Sequence, residues 1–262
     1  MSLLTWIIIF SLLGGVLSVL VAASFLLLPA SVRSRLVPHL VSFAIGSLLG
    51  AAFLGLLPHA LMSPGVEDFH DIFLAVLLGL LTFFVLEKLV LWRHCHSDHC
   101  EAHSLVGHDH GQGKSAAGSM ILIGDGLHNF VDGVLIAAAF LTDTHLGIVT
   151  ALAIAAHEIP QEVGDFVVLL HSGFSRAKAL LFNVLSSLTT VVGALLAYWS
   201  LADMQGLLPY VLAVAAASFI YIAVADLIPG LHKRAEARAT VEQIVLIGAG
   251  VLLIYLTHST LH

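Results

Sequence analysis

The feature that most constrains the fold is a series of eight apolar stretches, each about 20 residues long, which short polar segments separate. A helix of that length spans the hydrocarbon core of a bilayer. Of the 262 residues, 59% are hydrophobic and only 10% are charged, whereas an average soluble domain has about 25% charged residues. The sequence therefore predicts an all-α membrane protein with eight transmembrane helices, in the windows 3–28, 39–62, 72–92, 116–141, 146–171, 177–200, 207–228 and 241–258.

The positive charges predict the orientation of these helices. All ten lysines and arginines lie in the connections after the first, third, fifth and seventh windows, or at the helix ends beside them. Because cytoplasmic loops are enriched in Lys and Arg, these connections are predicted to be cytoplasmic and both termini to lie outside. Window 3–28 is too long for the core of a cleaved signal peptide, so we expect it to be the first span.

The longest connection, residues 94–115, differs in composition from the rest of the chain. It is rich in histidine and contains both cysteines, which imply no disulfide framework. Since it cannot bury a core, we expect a flexible cytoplasmic loop within a single transmembrane domain, residues 1–262. It is either a solvated linker or a tether that captures metal ions. The candidate ligands in this loop are His94, Cys95, His96, His99, Cys100, His103, His108 and His110.

Two of the apolar windows carry side chains that are costly to bury in hydrocarbon. The fourth window contains H-N-F-V-D-G at residues 128–133, and the fifth contains H-E-I-P-Q-E at residues 157–162. In each motif the residues at i, i+1 and i+4 point into one sector of a helix. At helical rise, His128 and His157 would both lie roughly 17 to 20 Å from the outer surface, near the bilayer midplane. Pro160 leaves one backbone carbonyl of its helix without a donor, which could give a cation an extra oxygen.

These polar stripes predict a divalent cation between the fourth and fifth helices. A single such residue would be explained by hydrogen bonding between helices. Here two histidines lie with several carboxylates, and with no Lys or Arg nearby these carboxylates would have to be protonated if no cation were bound. Imidazole with carboxylate favours Zn²⁺ first and Fe²⁺, Mn²⁺ or Cd²⁺ next. The candidate metal ligands are His128, Asn129, Asp132, His157, Glu158, Gln161 and Glu162, and Asp125 and Asp165 on the same stripes are candidates for the ion pathway.

The two motifs, the order of the windows and the histidine-rich connection resemble the Zrt/Irt-like (ZIP) family of divalent-metal transporters, in its branch with H-N-F-x-D-G and H-E-x-P-H-E. The resemblance implies uptake of zinc or a related cation, a homodimer, and one or two ions between helices four and five. Prolines near the ends of the second and seventh windows are typical of an inverted repeat. By motif, the resemblance places a first ion at His128, Asp132, His157 and Gln161, a second ion near Asn129, Asp132, Glu158 and Gln161, and an exit residue at Asp226.

Three departures from this family pattern change the expectations. Gln161 stands where the branch has His, so we expect weaker binding there. The sixth window offers Asn, Ser and Thr where other branches have a carboxylate, which argues against a second tightly held ion. The second window has Ala51 and Gly55 where the branch has Asp and His, which leaves His59 as its candidate pathway residue.

The predicted function is uptake of a divalent cation by alternating access, and we do not expect an enzyme. The alternative is an intramembrane zinc metalloprotease, because H-E-x-x-Q resembles the H-E-x-x-H motif. The missing second histidine and the intervening Pro160 argue against it. A membrane metal sensor would need a folded effector region, which the sequence lacks. The pI of about 6.1 and the lack of a basic cluster argue against nucleic acid. The expected location is the bacterial inner (cell) membrane.

Overall fold

The computed structural model describes residues 1–94, 114–232 and 236–261, and these residues form eight long helices. All but one of the predicted windows lie inside an observed helix. The exception is window 3–28, because the chain turns after Phe25 and Pro29 is the N-cap of the next helix. The helices are α1 (Leu3–Phe25), α2 (Ala30–Met62), α3 (Phe69–His94), α4 (Lys114–Thr142), α5 (Thr144–His171), α6 (Arg176–Leu201), α7 (Gln205–His232) and α8 (Ala237–Leu261).

Seven of these helices are long and apolar enough to cross a membrane, which confirms a multi-pass membrane protein. The remaining one is α5, which has 28 residues but carries the polar H-E-I-P-Q-E motif. Within the described ranges, α5 contacts α1, α2, α4, α6 and α8, so other helices surround it. An eighth span and the orientation of the termini stay predictions.

The helices pack in pairs, and glycine residues lie where two helices of a pair come closest. The most extensive packing joins α4 to α6 and α2 to α8, and α3 packs against α7. A Cβ atom on Gly133 would overlap the carbonyl oxygen of Thr190, and one on Gly193 would overlap that of Phe130. The α2 and α8 helices meet in the same way, through Gly46 and Gly250. Small residues allow such close approach of helices, which is the usual packing mode in membranes.

Two helices contain a π-helical turn just before a proline. In α2 this turn is Ala51–Leu56, followed by Pro58, and in α7 it is Ile222–Leu227, followed by Pro229. Proline cannot donate a backbone hydrogen bond and its ring crowds the preceding turn, so a regular α-helix would be disrupted there. The wider π turn accommodates the proline while the helix continues. The prolines singled out in the sequence thus have the same local structure in both helices.

Candidate metal centre

The candidate site lies between α4 and α5, which a single residue joins. Helix α4 ends at Thr142 and α5 begins at Thr144. Asp143 between them caps α5, since its Oδ1 accepts hydrogen bonds from the backbone amides of His145 and Leu146 at 2.8 and 3.0 Å. This short connection makes the two helices antiparallel neighbours, so the motifs near their centres face each other.

Four side chains from the two motifs converge on one point. The Nε2 atoms of His128 and His157 are 3.4 Å apart. The Oδ2 atom of Asp132 lies 3.8 Å from His128 Nε2 and 3.4 Å from His157 Nε2. The Oε1 atom of Glu158 lies 3.3 Å from His128 Nε2 and 3.6 Å from His157 Nε2. Each residue therefore offers one ligand atom to a common centre.

The spacing of these atoms matches a tetrahedral zinc site. Zinc binds histidine nitrogen and carboxylate oxygen at about 2.0–2.2 Å, which places neighbouring ligand atoms of a tetrahedron about 3.3–3.6 Å apart. Five of the six separations among these atoms involve a histidine nitrogen; four of them fall within 3.3–3.6 Å, and the fifth, between His128 and Asp132, is 3.8 Å. The distances from the histidine nitrogens therefore suit a bound zinc ion.

The orientation of His157 leaves its Nε2 atom available as a ligand. Its Nδ1 atom donates to the backbone carbonyl of Ala153 at 3.1 Å, one turn earlier on α5. Such a bond keeps the proton on Nδ1 and the lone pair on Nε2, as in most histidine metal ligands. The ring also packs edge-on against Phe219 of α7, with centroids 6.2 Å apart. His157 is thus held in position by its own helix and by α7.

The two carboxylates of the site are buried and lack hydrogen bonds. Asp132 and Glu158 are 1% and 0% exposed, and none of their oxygens has a hydrogen-bond partner among the described residues. An unbonded buried carboxylate is costly unless a cation balances it. The two negative charges would balance one divalent cation, so the donor set fits a 2+ transition metal.

Asn129 was also predicted as a metal ligand, and its side chain hydrogen-bonds within α4 and to α6. Its Nδ2 atom donates to Oδ1 of Asp125 at 2.9 Å, and its Oδ1 atom accepts from Thr190 of α6 at 2.8 Å. The second oxygen of Asp125 accepts from Ser186 of α6 at 2.5 Å. Asn129 therefore links α4 to α6. Sequence reasoning missed this role for Ser186 and Thr190, although their i, i+4 spacing already placed both on one face of α6.

A second group of acidic side chains lies one turn from the first. Carboxylate oxygens of Asp125, Glu162 and Asp165 are all within 4.8 Å of one another. Glu162 was predicted to bind the metal together with the histidines, but it is grouped here with the two aspartates. Gln161, the other predicted ligand, is half-buried one turn after His157.

The two remaining pathway candidates lie outside both groups. Asp226 is exposed in the π-helical turn of α7. His59 of α2 donates from Nδ1 to the carbonyl of Gly55 at 2.9 Å, and its ring centroid is 5.6 Å from that of His258 of α8. In the loop, His94 is the last residue of α3. The other loop candidates lie outside the described residues, namely Cys95, His96, His99, Cys100, His103, His108 and His110.

Comparison with known proteins decides the family. The family model described as ZIP zinc transporter matches residues 92–258, which include both motifs. The chain belongs to the ZIP zinc transporter family. Members of this family are transporters and not enzymes, so the resemblance predicted from the motifs is confirmed.

Relatives from several animals match most of the chain. Zinc transporter ZIP13 of Pongo abelii is 33% identical over 231 residues, which cover 83% of this chain and 66% of the relative. Zinc transporter zipt-7.2 of Caenorhabditis elegans is 30% identical and covers 83% of this chain and 57% of the relative. Zinc transporter ZIP13 of Homo sapiens is 31% identical, with 83% and 70% covered. This ZIP chain therefore spans between 57% and 70% of the length of these three relatives.

Proposed function

We propose that this protein carries divalent cations, with zinc as the main substrate, across a membrane into the cytoplasm. The observation that carries the proposal is the spacing of the ligand atoms of His128, Asp132, His157 and Glu158, which suits a tetrahedral zinc ion. Membership in the ZIP family supports zinc as the substrate. Fe²⁺, Mn²⁺ and Cd²⁺ accept the same ligands and are the alternative substrates.

The four convergent residues are the proposed ligands, and Gln161 is the proposed neighbour that weakens the site. A transported ion must bind well enough to enter and loosely enough to leave. An amide oxygen is neutral and a poorer zinc ligand than imidazole or carboxylate. Asn129 is the proposed positioning residue, because its side chain hydrogen-bonds to Asp125 and Thr190.

The proposed architecture is an inverted repeat of eight spans with both termini outside. In this repeat α1 corresponds to α6, α2 to α7, α3 to α8 and α4 to α5. The contact between α2 and α8 then corresponds to the contact between α7 and α3. In the same way, the contact between α1 and α5 corresponds to the contact between α6 and α4. The matching π turns and prolines of α2 and α7 also support the repeat. Alternating access would then move one helix group against the other around the site.

The remaining parts of the proposal follow from the sequence. The protein is proposed to act as a homodimer in the bacterial inner membrane, although the three relatives named above come from animals. Residues 94–115 are proposed as a cytoplasmic tether that captures metal ions. The protease alternative gains no support, because the matched relatives are transporters and Gln161 stands at the position of the second histidine.

The function can be tested by zinc uptake into proteoliposomes that contain the full chain. We expect His157→Ala to lower the initial rate by about tenfold or more, because it removes a ligand that faces three others. The matched control is His171→Ala, the same change at the exposed end of the same helix. The proposal fails if folded protein takes up none of the four metals, or if His157→Ala and His171→Ala transport at equal rates.

A further inference from the structure

The acidic group of Asp125, Glu162 and Asp165 contains a buried carboxylate without a partner. Glu162 is 0% exposed, and neither of its side-chain oxygens has a hydrogen-bond partner in the described parts of the chain. One of these oxygens lies within 4.8 Å of an oxygen from each aspartate, so the side chain points into the group. An ionised carboxylate in this position needs a positive charge to offset its burial and the repulsion from its neighbours.

Asp125 is held in place by two different helices. Its Oδ1 atom accepts from Asn129 of α4 at 2.9 Å, and its Oδ2 atom accepts from Ser186 of α6 at 2.5 Å. With 5% exposure it has almost no contact with solvent. Bonds of this kind orient a carboxylate that binds metal, because they fix the direction of its lone pairs. The group therefore combines one oriented carboxylate with one that is unpartnered.

Protein cations do not account for this cluster of negative charge. The sequence has no Lys or Arg from residue 115 to residue 175, a range that covers both motifs. The ion pairs found among the described residues do not include Glu162 or Asp165. A bound cation would supply the missing charge.

The group is displaced from the histidine site in one direction on both helices. Asp125 precedes His128 by one turn on α4, and Glu162 follows Glu158 by one turn on α5. Because the helices are antiparallel, both steps lead toward the same end of the bundle, about 5 Å away at helical rise. This is the end with Arg176 and Lys178, which the charge pattern assigns to the cytoplasm.

We propose that Asp125, Glu162 and Asp165 form a second cation site, through which the ion leaves the histidine site toward the cytoplasm. The inference rests on the proposed transport function and adds a separate binding site to the transport pathway. Its protein ligands are all oxygen atoms, which suit Mn²⁺ and other hard divalent cations and hold zinc less tightly than imidazole does. The step from a nitrogen-containing site to an oxygen-only site lowers zinc affinity in the direction of release.

The experiment counts Mn²⁺ ions bound to the full-length protein in detergent, by equilibrium dialysis and metal analysis. Wild type is expected to bind two ions per chain. The double variant Glu162→Gln/Asp165→Asn should bind one ion. The double variant His128→Ala/His157→Ala should also bind one ion, at the second site. The control Glu67→Gln, which changes an exposed carboxylate between α2 and α3, should bind two.

Zinc uptake by the same proteins separates this inference from the transport function. Glu162→Gln/Asp165→Asn should reduce the initial rate by about tenfold or more, while the ion at the histidines stays bound. The second site is disproved if wild type binds fewer than two Mn²⁺ ions per chain, even when zinc uptake is normal. This wild-type count decides the question even if a variant does not fold. Absence of uptake by folded wild type would instead disprove the transport function.

Discussion

Gln161 is the residue that we propose weakens the metal site. It is half-buried one turn after His157. We expect Gln161→His to tighten zinc binding by about tenfold or more, because imidazole is a far better zinc ligand than an amide. Turnover in proteoliposomes should fall as release slows. The dissociation constant can be measured by competition with a chromogenic chelator.

The control for this variant is Gln161→Leu, which has similar volume and no ligand atom. It should bind zinc no more tightly than wild type. If Gln161→His leaves the dissociation constant unchanged, residue 161 does not reach the ion, and the weakness of the site must come from its other ligands.

Single residues also show how far the sequence alone could predict the site. The spacing of the motifs predicted one polar face on α4 and one on α5, and His128 and His157 do meet there. The partner of each polar side chain could not be predicted in this way. Asn129 has the spacing of a ligand, and its side chain accepts a hydrogen bond from Thr190 because α6 lies against that side of α4. Helical periodicity gives the direction of a side chain but not the neighbour that it meets.

At the scale of helices, the crossing of α4 and α6 depends on Gly133. A Cβ atom there would overlap the carbonyl oxygen of Thr190, so the helices would have to separate. We expect Gly133→Ala to destabilise the fold by about 1–3 kcal/mol, the usual cost of overpacking. Thermal unfolding in detergent should show a lower midpoint. Gly124→Ala on the same helix is the control, since nothing lies within 4 Å of its added Cβ. Equal midpoints for the two variants would contradict this account of the crossing.

The start of α5 allows a second test at this scale. Burial raises the pKa of Asp143, but the backbone hydrogen bonds from Leu146 and His145 hold this pKa below its ordinary value. A carboxyl with a lowered pKa stabilises the fold above its unfolded pKa, and this stability is lost as the pH falls through its folded pKa. Asp143→Ala should therefore lower the free energy of unfolding by about 1 kcal/mol at neutral pH. Below about pH 4 the difference from wild type should shrink.

Asp143→Asn is the matched control, because asparagine can cap the helix without a charge. Its unfolding midpoint should lie close to that of wild type at neutral pH and depend less on pH in the acidic range. If the Ala and Asn variants are equally unstable at neutral pH, the cap does not stabilise α5.

The existence of the helices could be predicted from the sequence, but their pairing could not. Long apolar runs predict spans because each run must satisfy its backbone hydrogen bonds internally. Most of the surface of such helices is alike, so hydropathy does not indicate that α2 packs on α8 or α3 on α7. The start of α2 was missed for a related reason. Arg33 and Arg35 suggested a loop, but the helix begins at Ala30 and continues through Pro38.

At the scale of the whole molecule, the position of α5 explains how a polar helix can belong to a membrane bundle. Other helices pack around it in the described part of the chain, and its His157, Glu158 and Glu162 side chains are buried among them. Hydropathy measures how well a helix suits a lipid environment. It therefore underestimates the chance that a helix spans the membrane when other helices, and not lipid, surround it. If α5 spans the membrane, the connections after α2 and α6 lie on the same side. If it does not, they lie on opposite sides.

Cysteine labelling distinguishes these two topologies. In a Cys95→Ser/Cys100→Ser background, Glu67→Cys and Asp203→Cys place single thiols at exposed positions after α2 and after α6. A membrane-impermeant maleimide should label both in intact cells, because eight spans put both connections outside. In the unmodified protein, Cys95 and Cys100 should react only after permeabilisation, since their loop is predicted to be cytoplasmic. Labelling of Glu67→Cys but not of Asp203→Cys in intact cells would mean that α5 does not cross the membrane, and the antiparallel metal site at mid-membrane would then be untenable.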